Sequence, residues 1–223
     1  MGLTIAISLG LAAISFAMGI SWIAVSHESR LLWDVASEAN LWTWFSVAVL
    51  ISAAYGHLIA ALICWLDERG SALLWVATAL CLALMSMDDA ASLHERLLAP
   101  LGYLLGGGSG LTLFAWIIPG SVVALVIIVV FARMLVHVTG RPRRLGIAGL
   151  AMFFLGAIGM EMLSGLVLEE SGSGLGYLVA YHVEELLEAI GASLLLGAGL
   201  AELPVEMRSV AAWRERKREI RTL

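Results

Sequence analysis

The chain has 223 residues, of which 61% are hydrophobic and 14% are charged. A composition this apolar is typical of integral membrane proteins and excludes an ordinary soluble domain. The net charge of −5 does not indicate a nucleic-acid partner, and the basic residues concentrate at 141–144 and 214–221. The two cysteines, Cys64 and Cys81, both lie in apolar runs, which excludes a CxxC metal motif and a disulfide framework.

Six apolar runs follow one another along the chain, each long enough to cross a membrane as a helix, which takes about 20 residues. The predicted spans are 3–25, 41–66, 72–97, 111–136, 145–168 and 175–200. The first run has no basic segment before it, so we expect a retained helix rather than a signal peptide. The sequence therefore predicts an all-α, polytopic integral membrane protein with six transmembrane helices in a single bundle. That domain covers 1–204, and a basic cytoplasmic tail covers 205–223.

The basic residues also predict the orientation of the spans. Cytoplasmic loops are enriched in Lys and Arg, so the loop at 141–144 and the basic tail should both lie in the cytoplasm. With six spans, both termini are then cytoplasmic, and we expect a multi-pass protein of a bacterial-type plasma membrane. Membrane lipid is the expected partner. A homo-oligomer, or a partner within a larger membrane complex, stays open.

Polar residues on three of the predicted spans fall at similar depths. Asp88 lies about 16 residues along the outward-running third span, and Glu161 lies about as far along the fifth. His182 and Glu185 lie roughly 10 to 20 Å below the outer end of the sixth. On a continuous helix, Asp88 and Glu95 share a face, while Asp89 and His94 point aside. Three helices are therefore expected to bring acids and histidines into one layer in the extracytoplasmic half of the bundle.

This layer contains many more acids than bases. The acids are Asp88, Asp89, Glu95, Glu161, Glu184, Glu185 and Glu188. Arg96 and two histidines are the only basic residues nearby. A charged side chain at membrane depth costs roughly 2.5 to 3.5 kcal/mol on insertion scales, and crowded like charges cannot all ionise. Bound protons or a bound cation must therefore neutralise the group.

Carboxylates and imidazoles without thiolates suit zinc, iron or manganese. We therefore predict a divalent transition-metal site, with Glu184 and Glu188 as catalytic residues that move protons. The predicted ligands are Asp88, Glu95, Glu161, His182 and Glu185. The residues match no HExxH, EExxxR or HxxxH motif, and whether Asp89, His94 and His57 take part stays open.

Three functions fit this pattern. The first is a metal-dependent hydrolase or oxidoreductase that acts on a lipid-soluble or outer-leaflet substrate. The second is a proton-coupled or cation transporter that uses the same acids as a relay. The third is a non-catalytic subunit of a larger membrane complex. Whether the protein is an enzyme is left open by the sequence.

Overall fold

The computed structural model describes residues 1–20, 27–66, 68 and 71–221, and it describes side chains as far as residue 201. All regular secondary structure in these residues is helical, which confirms the predicted all-α class. The α-helices are α1 (Gly2–Ile20), α2 (His27–Trp33), α3 (Leu41–Leu66), α4 (Ala72–Ala91), α5 (Ala99–Leu104), α6 (Ile117–Leu135), α7 (Gly140–Phe154), α8 (Glu161–Ser171) and α9 (Leu175–Arg221). Two π-helical segments, His94–Leu98 and Leu155–Met160, join α4 to α5 and α7 to α8.

Five of the described helices are long and apolar enough to cross a membrane by length and composition. They are α1, α3, α4, α6 and the continuous helical stretch Gly140–Ser171. The bounds of α3 coincide with the predicted span 41–66. The backbone of α9 is helical from Leu175 to Arg221, so the basic tail continues this helix.

Two predicted spans are shorter in the structure. The third was expected to reach residue 97, but α4 ends at Ala91. The fourth was expected to begin at residue 111, but α6 begins at Ile117. Gly106, Gly108 and Gly110, just before α6, all have positive φ, a conformation that does not continue an α-helix. The residues between α5 and α6 therefore form a loop with one short 3₁₀ turn.

The centre of the bundle is α9, which packs against α1, α3, α7 and α8. Its contact with α7 depends on small residues, since a Cβ on Gly191 would lie 2.5 Å from the backbone nitrogen of Phe153. Gly149 on α7 faces the same point, because a Cβ there would lie 2.9 Å from the Gly191 oxygen. These glycines therefore allow α7 and α9 to pack closely.

The helices alternate in direction, so the bundle has two distinct ends. The hydroxyl of Ser86 donates to the Val47 oxygen at 3.0 Å, which places the end of α4 beside the start of α3. We call this the acidic end; it also holds the starts of α6 and α9. At the other end, which we call the basic end, His57 packs against Gly199 of α9. Residues 141–144, which were predicted to form a loop, lie in the first turns of α7 at the basic end, beside the end of α6.

Candidate carboxylate site

The acidic end begins where α4 breaks. Ser92 adopts a left-handed conformation with φ 48° and ψ 46°, which ends the helix. Asp88 stabilises the following turn: one carboxylate oxygen accepts a hydrogen bond from the His94 backbone N–H at 2.7 Å, and the other lies 3.0 Å from His94 Nδ1. Because the helix is interrupted, the expectation that Asp88 and Glu95 share one helical face is wrong. Glu95 is exposed.

Trp116 connects this turn to α8. Its indole N–H donates to Glu161 Oε1 at 2.8 Å. The His94 ring lies against the same indole, with 4.5 Å between ring centroids. Glu161 is close enough to His94 and Glu95 to interact with both electrostatically. The first residue of α8 and the turn after α4 therefore meet at one tryptophan.

The π-helical segment before α8 allows α9 to approach closely. A Cβ on Gly156 would lie 2.8 Å from both the Glu184 backbone oxygen and Glu188 Cγ, so only glycine fits at this position. One turn into α8, the Ser164 hydroxyl donates to Glu184 Oε2 at 2.9 Å. The glycine and the serine together hold the glutamates of α9 beside α8.

Two residues one turn apart on α3 donate hydrogen bonds to acids of α9 and α4. The Trp42 indole N–H donates to Glu185 Oε2 at 2.7 Å. The Ser46 side chain hydrogen-bonds to Asp89. Residues separated by four positions share a helical face, so α3 presents both donors to the same region. Asp89, which was expected to point aside, therefore lies with the acids of α9.

These contacts assemble acids from three helices into one group, which we call the carboxylate cluster. Its members are Asp89, Glu161, Glu184, Glu185 and Glu188. Glu185 and Glu188 each interact electrostatically with the other members. Within the described side chains, no lysine or arginine forms an ion pair with any of them. The hydrogen bonds to the cluster come from neutral indole and hydroxyl groups, which do not cancel its charge.

Glu188 and Asp89 are the least satisfied members. No described residue donates a hydrogen bond to Glu188, and its electrostatic neighbours are all acids. One buried oxygen of Asp89, Oδ2, also has no hydrogen-bond partner among the described residues. A buried carboxylate oxygen without a donor is costly when it is ionised. The neutralising charge must therefore come from a proton or from a cation at this place.

His94 follows the apolar part of α4 and interacts electrostatically with Asp89, Glu161 and Glu184. Burial lowers the pKa of its imidazole, but the hydrogen bond and the charge of Asp88 outweigh burial, so the pKa lies above its usual value. Asp88 engages Nδ1, and no described residue hydrogen-bonds to Nε2. Metal-binding histidines commonly have this arrangement, with a carboxylate on one nitrogen and the metal on the other.

His182 lies away from the cluster. Its Nδ1 is 2.7 Å from the Leu178 oxygen, and its Nε2 is 3.0 Å from the Ser15 hydroxyl on α1. The ring packs edge to face against Phe16 and stacks near Tyr181. Both ring nitrogens therefore have partners, and His182 joins α9 to α1.

The structure thus brings some of the predicted site residues together and separates others. Glu161, Glu185, Glu184 and Glu188 form one group. Asp88 is not a member of the group, but the next residue, Asp89, is. The exposed Glu95 interacts electrostatically with Glu161 at the edge of the group. In the described part of the chain, no three His, Cys, Asp or Glu residues are close enough to hold a metal ion as they stand.

Sequence reasoning missed the neutral donors of the site. A tryptophan near the end of an apolar run, such as Trp42, is ordinarily interpreted as part of an interfacial aromatic belt, and nothing in the sequence singles out Trp116. One available signal was the depth of Trp42, at the same end of the bundle as the acids. The sequence gives no comparable signal for Ser46 or for the break at Ser92.

A family model described as "Domain of unknown function (DUF8692)" matches residues 3–201. No curated protein and no solved structure matches the chain. The matched residues include every member of the carboxylate cluster.

Proposed function

We propose that this chain, which belongs to the DUF8692 family, is a six-span membrane protein that binds a cation at the carboxylate cluster. The observation that carries the proposal is the grouping of five acids from three helices without a described lysine or arginine partner. Like charges this close do not all ionise unless a positive charge is supplied. Ionisable residues at membrane depth also usually mark a functional site.

The proposed membrane arrangement takes α9 as the sixth span. Five other helical stretches have the required length and apolarity, and α9 packs among them although its apolar part carries Glu184, Glu185 and Glu188. Lys and Arg at 141–144 and 214–221 support a cytoplasmic basic end. Reporters fused after Arg144 and after Leu223 should both report cytoplasm, and one inserted at Gly108 should report the outside. A cytoplasmic reporter at Gly108 would contradict the orientation.

For the cation, we propose a divalent transition metal such as zinc, iron or manganese. Three features support it: the free Nε2 of His94, the Asp88 carboxylate on the other nitrogen, and the indole donors that hold Glu161 and Glu185. In this version His94, rather than His182, supplies the imidazole. The metal would supply Lewis-acid or oxygen chemistry to a lipid-soluble substrate. Glu188, which has no hydrogen-bond donor among the described residues, would accept the proton that this reaction releases.

Metal content per chain tests this version. The protein purified in detergent should contain one or two metal ions, and Glu161→Gln or Glu185→Gln should remove most of them. Glu169→Gln is the matched control, because Glu169 is on the same helix as Glu161 but hydrogen-bonds to the Gly110 backbone outside the cluster. Full metal occupancy in both cluster variants would eliminate the metal site.

The two histidines provide a second comparison. His94→Gln should lower the metal content, whereas His182→Gln should leave it unchanged, because His182 contacts Ser15 and Leu178. The opposite result would restore His182 as the ligand that the sequence predicts. Loss of metal in both variants, with the protein still folded, would place both imidazoles at the site.

A second candidate is a proton relay, or a proton-coupled transporter, that uses the same acids. The observation in its favour is that the described acids and histidines do not form a group that holds a metal in their present positions. Protons neutralise carboxylates without such a group. In vesicles, a pH gradient should then drive flux without added metal, and Glu188→Gln should abolish it. Absence of flux in the wild type would remove this candidate.

A further inference from the structure

A groove runs along the surface of the basic end, between α6 and α7. Ile128, Ala132 and Leu135 of α6 line one side, and Ile147, Ala151 and Phe154 of α7 line the other. It has a volume of about 390 Å³, within the range of small-molecule sites. All of these lining side chains are apolar. The groove therefore suits a hydrocarbon chain.

One charged side chain, Arg143, lines the groove with them. Arg141 and Arg144 lie beside it in the first turns of α7, and all three are exposed. In the part of the chain whose side chains are described, no acid forms an ion pair with any of the three. A guanidinium offers a fork of N–H donors that matches a phosphate group. The groove thus combines an apolar lining with a group suited to anion binding near the start of α7.

The dimensions agree with this combination. Arg143 and Phe154 are 11 positions apart on one helix, which corresponds to roughly 16 Å along the axis. This is about half of the hydrocarbon thickness of a bilayer, which is about 30 Å. A chain lying in the groove would start at the level of the headgroups, where Arg143 lies, and end near the bilayer midplane.

We propose that this groove binds one anionic phospholipid, with an acyl chain between α6 and α7 and the phosphate on Arg143. Basic pockets between membrane helices on the cytoplasmic side are suited to anionic headgroups. The inference rests on the proposed membrane embedding, but it does not depend on the cation at the opposite end of the bundle. It gives the Arg141–Arg144 segment a binding role in addition to its role in orientation.

Native mass spectrometry in detergent tests this, with phosphatidylglycerol and phosphatidylcholine of identical acyl chains added separately. The wild type should prefer phosphatidylglycerol. Arg143→Gln should weaken its binding about five-fold, the factor for one basic residue against an anionic lipid surface, and leave phosphatidylcholine binding unchanged. Arg133→Gln is the matched control, because Arg133 is exposed on the last turn of α6 but does not line the groove. It should change the phosphatidylglycerol affinity less than two-fold.

Two further variants keep the test decisive. Ala151→Trp fills the groove without changing charge and should weaken both lipids. Arg143→Lys keeps the charge and should retain most of the preference for phosphatidylglycerol. This variant tests the role of the charge even if Arg143→Gln folds poorly. Equal effects of Arg143→Gln and Arg133→Gln would show attraction to the basic end in general and would overturn the groove site. Unchanged lipid binding in Ala151→Trp would overturn it as well.

The same samples separate this inference from the proposed function. A protein that leaves the membrane pellet in alkaline carbonate is not embedded, and that result would remove the membrane proposal itself. A protein that stays in the pellet and keeps its cation, but shows no preference for phosphatidylglycerol, contradicts only the lipid site. Loss of the cation alone contradicts only the carboxylate site.

Discussion

The acidic and basic ends of the bundle share α3, α4 and α9, but their interiors differ. At the acidic end, α3, α4, α8 and α9 direct carboxylates, indole N–H groups and hydroxyls towards one another. At the basic end, α3, α4 and α6 bury Cys64, Trp75 and Phe131, each at most 3% exposed. His57 is the titratable imidazole in that interior, fully buried with Nδ1 on the Ala53 oxygen and Nε2 without a described partner.

This difference predicts which end contributes more to the stability of the fold and which end contributes more to the proposed cation site. Grouped buried acids are weak contributors to stability, because desolvation and repulsion offset their hydrogen bonds. Close-packed apolar side chains contribute directly through dispersion and burial. We therefore expect substitutions at the basic end to lower stability without affecting the cation. Substitutions at the acidic end should affect the cation more than stability.

The largest stability loss is expected at Phe131, which is 0% exposed and packs near His57. Phe131→Ala removes a ring from a filled core and should cost about 3 to 5 kcal/mol of unfolding free energy. Denaturant titration in detergent measures it. The cation content of the folded fraction should equal that of the wild type. A parallel loss of cation would show that the two ends are not independent.

A smaller loss is expected at Trp42, which is 3% exposed and donates to Glu185. Trp42→Phe leaves that carboxylate without its donor and should cost about 1.5 to 3 kcal/mol, the range for hydrogen bonds to charged groups. Trp44→Phe is the matched control, because Trp44 is 70% exposed on the same turn of α3. Equal melting temperatures of the two variants would contradict the assigned role of the Trp42 indole.

Hydropathy was sufficient to predict α3 from residue 41 to 66, because an apolar run between polar loops has one stable outcome in lipid. Counting the rise per residue was also sufficient to place Glu161 and Glu185 at the same level. Both predictions depend on properties of a single helix. They do not require knowledge of which helices are neighbours.

The sequence predictions were wrong where the outcome depends on which helices are neighbours. His182 and Glu185 are close on a helical wheel, but α1 covers His182 through Ser15, while α3 covers Glu185 through Trp42. Helical spacing cannot distinguish these two surroundings. The break at Ser92 depends on the Asp88 side chain binding the His94 backbone six residues on, which no short motif indicates. Because of this break, Asp88 and Glu95 do not share a helical face, and Asp89 is the acid of α4 that joins the carboxylate cluster.

The smallest effect concerns the pair of Asp88 and His94 in metal-free protein. The folded-state pKa of His94 is raised, so its stabilising contribution is full below about pH 6.5, the usual pKa of histidine, and is lost as pH rises through the raised value. The difference in melting temperature between wild type and His94→Gln should therefore shrink from pH 6 to pH 9. Asp88 is 38% exposed, so solvent screening keeps the difference small. A difference that grows with pH would contradict the pairing.

Infrared spectroscopy of the purified protein, recorded before and after a chelator, most directly shows whether the carboxylate cluster holds a cation. A metal keeps its carboxylate ligands ionised, and its removal couples to proton uptake. We predict that chelation produces new bands of protonated carboxyl groups, that metal reverses them, and that Glu185→Gln reduces them. Protonated bands that are present from the start and ignore the chelator would identify protons as the cation. Fully ionised carboxylates before and after chelation, with no metal bound, would contradict cation binding at this site.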